Sequence, residues 1–317
     1  MRRRTWLGAA LAMPAIPPAW AQDRVVRVIV PFPPAGAIDA IARLLAPEMA
    51  ARLRETWVIE NRAGGNGVIG AEAVMRAAPD GRTLMFSADI HLVVRAVMRS
   101  VPYDPVADFT PLARVAQGPM LLVGHPGLPA QDLPGLIAVL RARPGALAFA
   151  NTALGAMGHV TTESFKQRLE IDALTVTYRG TAQALNDVVG GQAGLMMAPL
   201  LSGLPLVRAG RLRGFAVTAP ARSPAAPEIP TMAEGGLADF NFTVWYGLWA
   251  PRGMPEPQAD RLNTLAREVA AEPGFASRLA ELGNEPVRES RAQFAAHIAA
   301  EHARNSAILA RAGVQPE

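Results

Sequence analysis

Two patterns in this 317-residue sequence could support chemistry. The first is Gly65-Asn66-Gly67-Val68-Ile69-Gly70, a G-x-G-x-x-G that opens a helical stretch, with Asp89 lying 19 residues beyond Gly70. Such glycines let a helix N-terminus approach a pyrophosphate, while the acid takes a ribose hydroxyl, so the pattern imitates that of an NAD(P)-dependent oxidoreductase. In that fingerprint the turn follows its strand at once; here the polar run Glu60-Asn61-Arg62-Ala63-Gly64 intervenes. The second pattern is a pair of loops rich in small residues, each between a strand and a helix. Pro33-Pro34-Ala35-Gly36-Ala37-Ile38-Asp39, with Phe32 before it, is one; Asn151-Thr152-Ala153-Leu154-Gly155-Ala156-Met157-Gly158-His159 is the other. Helix N-termini present unpaired N–H groups and a partial positive charge, so both loops are candidate anion sites. Read alone, each is more often an ordinary turn with a capping residue, and His159 more often a structural histidine than a ligand contact.

Other chemistry is poorly supplied. There is no cysteine, which excludes disulfides, thiolate metal sites, a thiol nucleophile and a lipid anchor on cysteine. No G-x-S-x-G or H-E-x-x-H occurs, and His91, His125, His159, His297 and His302 show no metal-ligand spacing. Neither a catalytic residue, a cofactor nor a metal is expected.

The elements that must position the loops follow from periodicity. Val25 to Val30 reads as a strand ended by Pro31-Phe32-Pro33-Pro34; Ile38 to Leu53 as a helix with Ile41, Leu44, Leu45, Met49 and Leu53 on one face; then a strand at 57–60, a helix at 68–78 and a strand at 83–87. Alternation of this kind specifies a parallel sheet. A second α/β unit follows: a helix capped by Asp132, strands near 147–150, 174–178, 195–197 and 212–218, and helices near 156–169 and 181–189. The tail adds an apolar, aromatic run at 244–250 and helices near 256–271, 274–283 and 290–311, the last with a Ser290/Gln293 capping box. The expected organisation is α/β in two lobes, 22–121 with 222–317 and 122–221, crossed near 121 and 221. In such sheets ligands sit beyond the carboxyl ends of strands. That adds Ser87, Ala88 and Asp89 to the candidates, with Trp245 and Tyr246 as an aromatic wall or as core.

The first 21 residues read as a signal peptide: Arg2, Arg3 and Arg4, an apolar stretch from Trp6 to Met13, and an A-x-A site at Ala19-Trp20-Ala21, with a twin-arginine flavour in Arg3-Arg4. Its removal leaves 28 basic against 27 acidic residues, a net of +1 with His neutral. The arginines are scattered, so no nucleic-acid partner is expected.

The chain also resembles a known family, the tripartite tricarboxylate transporter substrate-binding proteins of the TctC or Bug (Bordetella uptake gene) type. The matching stretches include Val28-Ile29-Val30-Pro31-Phe32-Pro33-Pro34, Glu60-Asn61-Arg62, Ala78-Pro79-Asp80-Gly81-Arg82-Thr83-Leu84, Pro102-Tyr103-Asp104-Pro105, Tyr178-Arg179-Gly180-Thr181-Ala182 and Trp245-Tyr246-Gly247-Leu248, collinear across the expected mature chain. The resemblance implies a type II periplasmic-binding-protein fold with a cleft between lobes, and a monomer in the periplasm. It implies a small carboxylate held by backbone N–H groups of the loops at 32–39 and 151–159, and handed to integral-membrane transporter subunits. A ligand sensor for a receptor would use the same closure. Departures are Ala35 where the family usually has Gly, Ala156 and Gly158 in place of hydroxyl residues, and Ala198 where many members carry an Asp that can meet a ligand ammonium. Asp89 is unusual in its segment, and it could repel a second carboxylate or bind an amine.

Overall fold

A computed structural model describes residues 24–178 and 180–317; the expected signal peptide and Arg179 lie outside the described residues. The first half runs β1 (Val25–Val30), α1 (Ala37–Leu53), β2 (Thr56–Asn61), α2 (Val68–Met75), β3 (Thr83–Ala88) and the short α3 (Val94–Val97). β1 pairs in parallel with β2 and β3, as the alternation requires. A 16-residue strand, β4 (Phe109–Gly124), then leaves this half for the next. The second half runs α4 (Leu133–Ala142), β5 (Ala148–Asn151), α5 (Met157–Leu169), β6 (Leu174–Thr177), α6 (Thr181–Val189), β7 (Leu195–Pro199), α7 (Leu200–Arg208) and β8 (Arg213–Val217). The tail supplies β9 (Thr243–Pro251), α8 (Glu256–Ala271), α9 (Pro273–Glu281), β10 (Glu285–Pro286) and α10 (Arg291–Arg311).

The strands are ordered β2-β1-β3-β9-β4-β7-β5-β6, with β10 and β8 also paired to β4. The parallel units are therefore joined by an antiparallel pair. Residues 109–119 of β4 pair with β9, and residues 120–124 pair with β7 and β8. The periodicity did not reveal β4, because Pro111, Gly118 and Pro119 interrupt its apolar run; the ladder shifts register at Pro111/Ala113 and at Arg114/Ala116.

Each sheet is sandwiched by helices. In the first lobe α1, α8 and α9 cover one face, through Ile41, Leu45, Leu262 and Phe275. Trp245, Trp249, Phe294 and Ile298 fill the other. In the second lobe Phe149, Phe165 and Leu136 pack on one face, and Leu185, Leu200 and Leu204 on the other. The stretch 222–242 was expected with the first lobe, but it packs on the second. Ala226 and Ile229 join Leu121 and Val217, while Leu237 and Phe240 join Phe165. The chain thus returns to the first sheet at Thr243, opposite Pro119. α10 reaches across both: Ile308 and Leu309 pack with Phe165, and Gln167 Nε2 donates to Ile308 O at 2.9 Å.

The two crossings are tied together by one buried residue. Thr218 Oγ1 accepts from Met120 N at 2.9 Å and donates to Phe242 O, and the Thr218 backbone bonds Met120 O and Phe242 N. Thr218→Val keeps the shape and removes the hydroxyl, leaving buried backbone groups short of a partner. It should cost about 1–3 kcal/mol in urea unfolding, with an unchanged m-value.

Candidate functional site

A crevice runs between the lobes where β1, β3, β5 and β7 end. Its inner chamber, about 360 Å³, is walled by Phe32, Ile38, Met120, Met157, Met197, Val244 and Tyr246. An outer vestibule of about 610 Å³ shares Gly36, Ala37, Thr181, Pro199, Val244 and Tyr246 with it and extends along α6 and α7 to Asn284. Four helices begin at this crevice: α1 after Gly36, α5 after Ala156, α6 after Gly180 and α7 after Pro199. None has a side chain capping its first turn. Of the helices that begin elsewhere, α4 and α10 are capped by Asp132 and Ser290, while α2, α3, α8 and α9 also lack a side-chain cap. An uncapped N-terminus leaves N–H groups without intrahelical partners and carries a partial positive charge. Among the described residues no Arg, Lys or His lines either space; the one carboxyl is Asp89. The arrangement can hold an anion by neutral donors, over an apolar body.

A profile of the TctC family, described as "Tripartite tricarboxylate transporter family receptor", matches residues 41–314. The chain belongs to the TctC family. The protein BugT of Bordetella pertussis is 34% identical over 294 residues, which cover 92% of this chain and 90% of that protein. Among solved structures, "R. palustris Rpa4515 with adipate" is 35% identical with a TM-score of 0.83, covering 94% of this chain and 100% of that one. "MatC (Rpa3494) from Rhodopseudomonas palustris with bound malate" is 31% identical with a TM-score of 0.78, covering 90% and 99%. This TctC protein is accordingly a solute-binding protein with the type II periplasmic-binding-protein fold, two α/β lobes around a ligand cleft.

Of the residues expected to meet a ligand, Phe32, Pro34, Gly36, Ala37, Ala88, Asp89, Thr152 and Ala156 line the inner chamber, and Ala35 lines the vestibule. The others are placed elsewhere, for reasons that strand alternation and local bonding explain. Trp245 points away from the chamber into the aromatic core, against Trp249 and Phe294, and its Nε1 donates to Glu301 Oε2 at 2.6 Å. Its neighbours Val244 and Tyr246 form the wall instead, because successive side chains of β9 point to opposite faces. Ala198 is likewise sealed in the second core, between chamber residues Met197 and Pro199. Ser87 is fully buried beside Pro31, His91 and Tyr103, outside the chamber. Asn151 shapes its own loop, donating to Ala153 O and accepting from Thr152 N. His159 Nδ1 accepts from Gly155 N at 3.0 Å, which puts any single ring proton on Nε2. Burial holds His159 below the usual imidazole value, so it is a neutral brace for the loop. Gly155 (φ 78°) lies against Val93 and Val97.

Met120, Met197, Gly180, Thr181 and Val244 were missed by the sequence reading. Gly180-Thr181 carried a findable signal, a glycine directly before a helix at the end of a strand. The G-x-G-x-x-G does not line the crevice. Its glycines serve packing: a Cβ at Gly67 would meet the Phe32 ring at 3.1 Å, and one at Gly70 would meet Arg62 O at 2.8 Å. Asn66 Nδ2 reaches across to Leu154 O at 3.0 Å, joining this turn to the loop of the other lobe.

Electrostatics sharpen the picture around Asp89. Burial, and then the nearby Glu301 carboxylate, push it well above the usual aspartate range, against the N–H groups of Trp245 and of Asp89 itself and the charge of Arg304. Burial also raises the Tyr246 phenol, so it stays a neutral hydroxyl.

Asp39 faces its own loop rather than the chamber. It accepts from Ala35 N, Arg43 Nε and Asn61 Nδ2, at 2.9–3.0 Å. This holds Ala35 at φ 66°, a left-handed conformation that favours glycine. Burial alone would raise the Asp39 carboxyl, but the bonds from Arg43, Ala35 and Asn61 outweigh it and hold the pKa below the usual value. A depressed carboxyl stabilises the fold above the ordinary value of about 3.9 and loses that contribution as pH falls through the lower folded value. Asp39→Ala should therefore cost about 1–3 kcal/mol in denaturant unfolding at pH 7, with the gap to wild type closing below about pH 4. Ala35→Gly should instead gain about 1 kcal/mol in the same assay.

Proposed function

We propose that this protein captures a small carboxylate in its crevice and presents the closed, loaded form to the integral-membrane subunits of a tripartite tricarboxylate-type transporter. The observation that carries this reading is the convergence of four uncapped helix N-termini on an apolar chamber without a cationic side chain among the described residues. A carboxylate there receives N–H donors that are already oriented, with the hydrocarbon part of the ligand against Phe32, Met120 and Met197. Relatives of the same fold whose structures are described with adipate and malate support the ligand class.

On this reading the lobes, 120–242 and the remainder, close about the crossings at Pro119/Met120 and Phe242/Thr243. The protein acts as an exported periplasmic monomer without a lipid anchor, by binding and release and without turnover. No helix among the described residues is long and apolar enough to cross a membrane, which is consistent with a receptor that meets its transporter at the membrane surface.

A thermal-shift and calorimetric series on the mature protein tests it, using mono-, di- and tricarboxylates, amino acids and nicotinamide dinucleotides. A carboxylate that binds only the folded state should bind once per chain and stabilise by about 2.7 kcal/mol at a hundredfold excess over Kd. Stabilisation by dinucleotides alone would overturn the reading.

A further inference from the structure

Among the described residues, Asp89 is the one with an ionisable carboxyl that lines the inner chamber. It follows β3 directly and opens a 3-10 turn, Asp89–Val93. Only 2% of its surface is exposed, and it lies between Ala88 and Ile90, which line the chamber with it. Among the described residues it makes no ion pair.

The groups that face it are few. β9 offers the Trp245 backbone N–H and the neutral Tyr246 hydroxyl group; α10 offers Glu301 and Arg304; the turn offers the Asp89 N–H. Arg304 is already engaged, its Nη2 bonded to Glu301 Oε1 at 2.5 Å and its guanidinium over the Phe242 ring at 4.5 Å. Glu301 also takes the Trp245 indole N–H. Its negative charge stands near Asp89, and among the described residues no cationic side chain lines the chamber.

This geometry discriminates between ligand types. A second carboxylate could meet Asp89 only in its protonated form, and would still stand near the Glu301 carboxylate, which is unfavourable in a low-dielectric site. A protonated amine would give Asp89 the counter-charge that the described residues do not, with up to three N–H donors. The helix N-termini remain available for the carboxylate of the same molecule.

We propose that Asp89 receives a ligand ammonium, so that the cargo is an amino carboxylate rather than a dicarboxylate. The inference rests on the carboxylate-capture reading and narrows it. Burial raises the empty Asp89 carboxyl and a bound ammonium lowers it again, so amine binding favours loss of a proton from Asp89, and affinity rises with pH across that interval until the amine itself deprotonates.

The test is calorimetry of the mature protein with α- and ω-amino carboxylates, each set against the dicarboxylate of the same chain length, for example 6-aminohexanoate against adipate. Titrations in two buffers of different ionisation enthalpy read the proton release, and Asp89→Asn is run beside the wild type. Expected are preference for the amino member of a pair, net proton release, and at least a thirtyfold loss of its affinity in Asp89→Asn with the dicarboxylate unchanged or improved. If a dicarboxylate binds better than its amino partner in the wild type, or Asp89→Asn leaves amino-carboxylate affinity intact, the proposal is wrong while carboxylate capture stands. The wild-type comparison needs no variant to fold. If no carboxylate of either set binds, the capture reading itself fails and the assignment of Asp89 with it.

Discussion

The two passages of the chain between its lobes meet at Thr218, and much of the architecture follows from that meeting. β4 arrives through Pro119-Met120 and the chain departs through Phe242-Thr243, and both passages are bonded to the same buried threonine. The antiparallel pairing of β4 with β9 extends from this point into the first lobe, and that of β4 with β7 and β8 into the second. Strand directions fixed this way bring the ends of β1, β3, β5 and β7 to one rim. Helices that follow parallel strands then begin at that rim, so the N–H groups proposed to hold an anion are a consequence of topology more than of any particular side chain.

That origin explains how the crevice can offer donors to an anion although none of the described residues on its walls is an arginine or lysine. Backbone donors are rigidly held, carry no side-chain entropy and pose no problem of burying a full positive charge when the site is empty. The cost is borne by the helix ends. A missing side-chain cap forgoes about 1 kcal/mol at an alanine such as Ala156 and only a few tenths at Gly36 and Gly180, and four helices open here without one. Groups left short of partners in the empty protein are the groups a ligand can satisfy. Stability that caps would have supplied becomes available as affinity. Asp39 belongs to the same economy: it holds its loop by accepting from Ala35 N–H, and leaves the first turn of α1 open to the crevice.

The parallel units were legible in the sequence because buried strands leave continuous apolar runs and helices leave one apolar face, as β1 and α1 do. β4 was not legible: its prolines and Gly118 read as breaks, although irregular register lets the ladder absorb them. The two loops that reach the crevice were legible from small residues placed between strand and helix. Side-chain direction within them was not. Counting by twos along β9 separates Trp245 from Tyr246, and along β7 separates Ala198 from Met197, but the phase of each strand is set by which face meets the crevice. That requires knowing that β9 lies between β3 and β4, an arrangement of distant segments that local periodicity does not encode. The boundary near 221 was misplaced for a similar reason, since a proline-rich stretch looks like a linker whichever lobe it packs on.

A break in that phase gives Asp89 its distinct standing. Ser87, two residues earlier on the chain, is turned into the interior beside His91 and Tyr103, and Asp39, equally acidic, is neutralised by Arg43. Asp89 instead sits where β3 ends and the chain bends into a 3-10 turn, so the residue is buried yet lines the chamber. A buried acid in this position does little for stability: burial opposes its charge, and Glu301 adds to that opposition. An apolar residue of similar size would pack there at lower cost. What an acid can do, and an apolar residue cannot, is change which ligand the chamber accepts. In a site otherwise built from neutral donors and apolar walls, one carboxyl changes the balance from binding an anion to binding a molecule that carries both signs.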